Sequence, residues 1–421
     1  MSALLALYLT KQLLLPGHVE HVVGLTTLRS LLGQGSRNVQ PQAFASEIFG
    51  LYTAFVYLTP IGGGWLADRY LGARKVVLMG ACVLSMGHLA MAFDESFLLA
   101  LALLVLGTGL LKGNISAQVG ALYPEADTEL RTRAYLLFSI GISAGAMLGP
   151  VTCGLLAAAY GWHAGFAASA GFMVVGLLTY AFGLPFIPKD PSRKVPKPLK
   201  ESDRPAALAR ADRAKIWALL GVIGITVFQS TAYSQSGNVG LIWISEHVDL
   251  HTPLGRLPEP WFPSIDALSG ILAVPLLIWA WKGLRGFAPA PLTKIALGAA
   301  IASGASLLLA AGAAQSAGHQ ASLLWPVLAY CAFGVGYMHY WPTCLALIAQ
   351  SAPAHMKATM ISVSFLGFFV ANLLVGYIGT YYEPLGPLAF WIFNASIAAT
   401  GSLLALLSRG RLTRILNKPS T

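Results

Sequence analysis

SFLLALALLVLGTGLLKGNISAQVGALY, residues 96–123, decides the reading of this chain. Apart from Lys112 the stretch carries no charge. As a helix rising 1.5 Å per residue it reaches about 40 Å, more than the roughly 30 Å hydrocarbon core of a bilayer. A lysine that deep costs several kcal/mol unless it meets water or a partner. The segment therefore predicts a spanning helix with one face on a polar cavity that takes something anionic or zwitterionic. The competing reading, a lysine snorkelling to the interface, is disfavoured by the distance from Lys112 to either end of the run.

The rest of the composition agrees with this. Of 421 residues, 56% are hydrophobic and only 10% charged, which describes a polytopic membrane protein. The 44 glycines and 24 prolines suit membrane helices that pack closely and bend. A net charge of +10 raises nucleic acid as a partner, but the basic residues collect in alternate loops between apolar runs, which argues against it. Cys82, Cys153, Cys331 and Cys344 are scattered in apolar segments with no metal-ligand or redox spacing. The start, MSALLALYLTKQLLL, has neither a basic leader nor a small-residue cleavage site. Nucleotide loops, nucleophile elbows and metal-ligand clusters are absent from the sequence, so nothing in it points to an enzyme.

Eleven apolar runs are long enough to cross a bilayer, at about 47–66, 76–93, 97–123, 134–160, 164–186, 216–246, 265–281, 292–314, 323–350, 359–381 and 388–408. Residues 1–15 form a twelfth, partial one. About nine apolar residues precede Lys11, or roughly 14 Å of helix. Either the true start lies upstream or the protein dispenses with half a helix. The expected layout is an all-α membrane protein: a six-helix bundle over 1–186, a linker over 187–213 and a second six-helix bundle over 214–421. The linker, within IPKDPSRKVPKPLKESDRPAALARADRAK, is rich in Pro, Lys and Arg and lacks an apolar period. Of the 27 Lys and Arg, Lys11, Arg29, Arg37 and Arg256 fall on one side and Lys112 within a span; the remaining 22 fall on the linker side. That bias predicts a cytoplasmic linker and two cytoplasmic termini.

GGGWLADRYLGARK, residues 62–75, contains Gly64-x-x-x-Asp68-Arg69-x-x-Gly72-x-Arg74-Lys75 at the turn between the second and third spans. It resembles the signature loop of the major facilitator superfamily. Glycine permits close helix approach, and Asp68 is suited to bond across helices or to a helix N-terminus, latching the cytoplasmic side. A narrower resemblance lies in FGLYTAFVYLTPIGGGWLADRYLG, GTGLLKGNISAQVGALY and FSIGISAGAMLGP, in that order and spacing, and in QSAPAHMKATMISVSFLGFFVANLLVG. These are similar to the proton-dependent oligopeptide transporter family over nearly the whole chain.

The resemblance implies twelve helices around a central cavity for di- and tripeptides, alternating access, and a proton gradient as driving force without any bound cofactor. It implies that Lys112 serves substrate carboxylate and coupling, that Tyr57 is a cavity tyrosine, and that Ser143 stands where the family has an asparagine. It implies a monomer in a lipid bilayer, in the bacterial inner membrane, with a small peptide as partner. Several family acids have no counterpart. The Glu-x-x-Glu-Arg element of the first helix is missing, the seventh-helix glutamate falls at Ser234 and the tenth-helix glutamate at Tyr337. The eighth-helix Asn-Pro becomes Asp266-Ala267, and the eleventh-helix tryptophan falls at Ser364.

Among the acids, Asp266 alone is placed to reach the cavity, as an amino-terminus contact or a proton site; the competing role is an interfacial helix cap. His339, beside Pro342, is a second titratable candidate, set against a packed neutral histidine. Tyr340 and Trp341 either line the cavity or pack. The sequence thus predicts a proton-coupled transporter of small peptides or peptide-like solutes, with a weaker dependence on the proton gradient than the family norm. Two other readings stay open: a facilitative transporter with an altered substrate, and a non-transporting or decayed paralogue.

Overall fold

The protein is described here as a computed structural model covering residues 2–32, 40–123, 128–187, 210–253, 255–283, 289–316, 318–353 and 357–417. It is an all-α membrane protein with the major facilitator fold. Ten of its described helices are long and apolar enough to cross a membrane. An eleventh, Leu324–Ser351, is as long but less apolar, because Tyr330, Tyr337, His339, Tyr340 and Trp341 lie along it. The first apolar segment is short, Ala3–Leu13, as its sequence predicts.

In chain order the helices are α1 (Ser2–Tyr8), α2 (Leu25–Leu31), α3 (Pro41–Leu66), α4 (Ala73–Ala90), α5 (Phe97–Ala121), α6 (Thr128–Tyr160) and α7 (Trp162–Gly183). After the linker come α8 (Arg210–Ser234), α9 (Leu241–His247), α10 (Phe262–Gly283), α11 (Pro291–Gln315), α12 (Leu324–Ser351), α13 (Lys357–Gly379), α14 (Tyr382–Leu385) and α15 (Pro387–Leu416). Within the first group α3 and α4 pack on α5, and α7 on α4 and α6. Within the second α11 packs on α12 and α15, α10 on α12, and α8 on α13 and α15. The groups meet where α3 crosses α13 and where α6 meets α10. Most of the linker, residues 188–209, lies outside the described residues.

The two meetings differ in how they are held. At α3–α13 the helices close to backbone contact: a Cβ on Gly50 would sit 2.5 Å from the Gly376 Cα. At α6–α10, Trp261 Nε1 donates to the Val151 carbonyl at 3.1 Å and Ser264 Oγ to the Met147 carbonyl at 2.7 Å. Both lie toward the side away from the linker, here the far side. The larger apolar core cluster is also there, joining α1, α3 and α5 to α9, α11 and α12. The smaller cluster lines the linker-side ends of α8, α11, α12, α13 and α15. Among the described residues the two groups close on each other on the far side.

Two features of the far half are not visible in apolar periodicity. The run expected at 216–246 is one span, Asp212–His247, but not a regular α-helix throughout. After Gln235 it passes through a π-helical turn at Ser236–Gly240 and continues as α9. Glycine and small polar residues in SQSGNVG favour a continuous helix least, which marks where it gives way. Beyond α9 a two-stranded hairpin, β1 (His251–Thr252) with β2 (Gly255–Arg256), leads to Glu259, which pairs with Arg256 at 3.0 Å and with Lys11 of the first group at 3.4 Å.

The expectation that Gly64 provides the close approach is corrected by one residue. A Cβ on Gly64 would meet nothing within 4 Å, whereas one on Gly63 would overlap the Gly109 carbonyl of α5. A one-residue step rotates a helical position by about 100° about the axis, so the two glycines face different neighbours. Gly63→Ala should lower the thermal unfolding midpoint of the purified protein, by an overpacking cost of roughly 1–3 kcal/mol. Gly64→Ala should leave it unchanged.

Candidate functional site

Lys112 belongs to the linker-side half of α5 and is exposed. Among the described residues no carboxylate pairs with it. Its Nζ stands 4.5 Å from the centroid of the Tyr57 ring. Tyr57 comes from α3, and its ring stacks on Phe368 of α13 at 4.8 Å, with Phe365 beyond at 6.5 Å. Trp341 of α12 sets its edge against Phe368 at 4.5 Å. The cation is thus held on the negative face of an aromatic ladder that crosses from one helix group to the other. The ladder buries its hydrocarbon while the ammonium stays available. Trp341 packs in it, and Tyr340 is fully buried, 3.1 Å from Ser230 Oγ.

A cavity of about 650 Å³ opens beside this ladder. Its first-group wall includes Ser143 and Pro150 of α6, Ser169 of α7 and the buried His88 of α4. Its second-group wall includes Tyr233, Asp266 and Tyr337. Asp266 lies in the second turn of α10, which begins at Phe262, so the helix-cap role is corrected: the carboxylate faces the cavity. The Tyr233 hydroxyl donates to Asp266 Oδ2 at 2.5 Å. Gly334 of α12 makes room for the other oxygen, since a Cβ there would fall 2.9 Å from Asp266 Oδ1. Tyr337 lies within electrostatic reach of Asp266 and of Tyr57, and its ring is 5.2 Å from that of Tyr233.

Ser143 and Asp266 therefore share one cavity, and Lys112 and Tyr57 form a pair next to it, linked through Tyr337. His339 is elsewhere. It is buried, its Nδ1 lies 2.8 Å from the Val335 carbonyl one turn back, and it packs against Gly298 of α11. Two positions separate it from Tyr337, which turns it to a different face of α12. Ser364, where an aromatic was expected by analogy, is buried and donates to the Ile361 carbonyl; Phe365 and Phe368 supply the rings instead. Tyr233 and His88 were not singled out by sequence. Tyr233 adjoins Ser234 but has no local pattern that distinguishes it from a packing tyrosine.

The 62–75 loop ends α3 in a π-helical turn, Ala67–Leu71, and reverses at Gly72, whose φ of 81° suits glycine. Asp68 and Arg69 are exposed there. Among the described residues Asp68 has no hydrogen-bond or ion-pair partner, so the expected latch is not made in this state. Arg74 instead donates to the Leu184 carbonyl at the end of α7. Tyr180 of α7 adds to this brace, its hydroxyl 3.0 Å from Gln118 Oε1 and 3.3 Å from the Arg74 carbonyl.

The profile of the Major Facilitator Superfamily matches residues 22–376. Over 411 residues the chain is 27% identical to the peptide transporter YePEPT of Yersinia enterocolitica, covering 82% of this chain and 80% of that protein. It is 26% identical to the di-/tripeptide transporter of Lactococcus lactis subsp. cremoris, over 89% of this chain and 88% of the other. Among solved structures, a peptide transporter POT variant in complex with alafosfalin superimposes with a TM-score of 0.85 at 23% identity, covering 99% of this chain and 92% of that one. A POT family transporter in complex with 5-aminolevulinic acid gives 0.82 at 22% identity, covering 98% and 93%. These relatives and neighbours are transporters, not enzymes.

The geometry makes the Tyr57 ring face, rather than its hydroxyl, the partner of Lys112. Tyr57→Phe should therefore leave the thermal unfolding midpoint of the purified protein nearly unchanged. Tyr57→Leu, which removes the ring that Lys112 and Phe368 both contact, should lower it, by at least the roughly 0.5–2 kcal/mol of a cation–π contact.

Proposed function

We propose that this chain, which belongs to the Major Facilitator Superfamily, carries di- and tripeptides or peptide-like zwitterions across a membrane by alternating access. The observation that carries the reading is the separation of charge at and beside one cavity: an ammonium with no carboxylate partner among the described residues at Lys112, and a carboxylate at Asp266 on the opposite helix group. A zwitterion laid between them offers a carboxylate to Lys112 and an amine to Asp266, with Tyr337 and Ser143 left for the polar backbone. The named substrates of the relatives support the peptide class. The 5-aminolevulinic acid complex of a structural neighbour supports a wider class of small zwitterions.

The far-side seal supports a conformation that opens toward the linker, and the distribution of Lys and Arg supports placing that side in the cytoplasm of a bacterial cell. Coupling to protons then falls to Asp266, the acid that lines the cavity. Proton binding there and amine binding there compete for one carboxylate, so the proton gradient drives uptake weakly. A facilitative mode is the second reading, favoured by Tyr337 and Ser234 standing where the resemblance expects glutamates.

Uptake by the purified chain in liposomes tests this. Radiolabelled L-Ala-L-Ala should enter saturably and be competed by 5-aminolevulinic acid. An inward proton gradient should raise the rate modestly in the wild type and not at all in Asp266→Asn. Absence of saturable uptake in the folded wild type would overturn the reading.

A further inference from the structure

At the π-helical turn at Ser236–Gly240, groups from the cavity, from three second-group helices and from the opposite group converge. Tyr233, just before the turn, grips Asp266 of α10. Ser236 Oγ donates to the Tyr233 carbonyl at 2.7 Å. Tyr330 of α12 donates to the Ser236 carbonyl at 2.6 Å, and Gln235 Nε2 to the Val375 carbonyl of α13 at 3.0 Å. Asn238 is held between the two groups. Its Oδ1 accepts from Ser46 Oγ of α3 at 3.3 Å, and its Nδ2 donates to Gln235 Oε1 at 3.3 Å. Ser46 in turn accepts from Gln42 Nε2 at 2.9 Å, and that same amide reaches the Gly379 carbonyl of α13 at 3.1 Å. Gln235, Ser236, Asn238, Ser46 and Gln42 are all buried.

The chain of contacts thus runs without a gap from the cavity carboxylate to the far-side seam, and its seam end contains no charge. Two properties make the turn a switch rather than a strut. It is π-helical, a geometry rare in helices and frequent at functional sites. It also carries a side chain that closes directly on the seam, since a Cβ on Gly379 would sit 2.7 Å from both Asn238 Nδ2 and Ser46 Oγ. A rotation of the turn moves the Asn238 amide against both helix groups at once.

We propose that the Ser236–Gly240 turn couples the charge of Asp266 to the far-side seam: the ionised carboxylate, through Tyr233, holds the turn and keeps the seam closed, and neutralisation of Asp266 releases it. The inference rests on the alternating-access reading above and adds the element that transmits the signal. A hydrogen bond to an ionised carboxylate is stronger than one to a neutral group, which gives the two charge states different grips on Tyr233. The other titratable groups around Asp266 are Tyr330, Cys331 and Tyr337 of α12, with His88 of α4 across the cavity. Tyr233 and Tyr330 are positioning residues for the turn.

Electron–electron resonance distances test the coupling without requiring transport. Spin labels carried by a noncanonical amino acid at Gln40, before α3, and Leu385, at the end of α14, report the seam from exposed positions on the two groups. Asp266→Asn and Tyr233→Phe should each raise the ratio of long to short distances about tenfold, the factor expected for losing a hydrogen bond to a charged group. The double variant should go no further than either single one. Tyr330→Phe, which frees the Ser236 carbonyl's donor without touching the carboxylate, should lengthen distances in both the Asp266 and Asn backgrounds, and serves if Tyr233→Phe does not fold. Unchanged distances in these variants, or additive shifts for Asp266→Asn and Tyr233→Phe, would overturn the proposal. A protein that shows the shifts but takes up no dipeptide would instead overturn the transport reading alone.

Discussion

An ammonium inside a spanning helix is expensive, and the placement of Lys112 is the constraint around which the interior is organised. Among the described residues no carboxylate neutralises it. The chain gives the charge an aromatic face, Tyr57 at 4.5 Å, and an opening toward water. The aromatic face keeps the amine in place without satisfying it, since ring contact uses none of its three donors. The ladder of Phe368, Phe365 and Trp341 behind Tyr57 fixes the ring from the other helix group. The cost of the cation is thereby tied to the seam between the two groups, and on the proposed function a ligand carboxylate would complete the site.

Closure of the far side follows a different physics. Lipid offers no hydrophobic drive for helix association, so contact depends on small residues and hydrogen bonds. Gly50 against Gly376 brings two backbones together, and the buried side chains of Gln42, Ser46, Gln235 and Asn238 hydrogen-bond to one another across the gap, with Gln42 Oε1 left unpartnered. The charged pairing of Lys11 with Glu259 lies outside this zone, where Lys11 is partly exposed and the pair is worth little. The contacts named at the seam are therefore neutral, although Glu47 of α3 lies beside Gly376, and Asp266 reaches the seam from the cavity through Tyr233.

The fold was legible because apolarity over 18 or more residues identifies membrane helices directly. One charge in a long apolar run pointed to α5, where Lys112 meets the Tyr57 ring, but not to the residues that line the neighbouring cavity. The spacing of Gly64, Asp68, Gly72 and Arg74 located the turn after α3 but not the packing glycine, because residue types in a motif do not say which face of a helix is occupied. Asp266 was assigned two roles from sequence, since helix starts in apolar runs are uncertain by about a turn. The observed start at Phe262 moves it inward. His339 and Tyr337 differ by two positions, and only the packing of α12 on α11 shows which faces the cavity. The π-helical turn and the grip of Tyr233 on Asp266 were not legible at all. Both depend on contacts between helices distant in sequence.

The central claim is that Lys112 recognises a carboxylate. The direct measurement is equilibrium binding of L-Ala-L-Ala and of its C-terminal amide to the wild type and to Lys112→Ala. The account predicts that the wild type prefers the free acid by about tenfold or more, the scale of a charge-assisted hydrogen bond. It predicts that Lys112→Ala binds both ligands weakly and about equally. A preference for the free acid that survives in Lys112→Ala would contradict it.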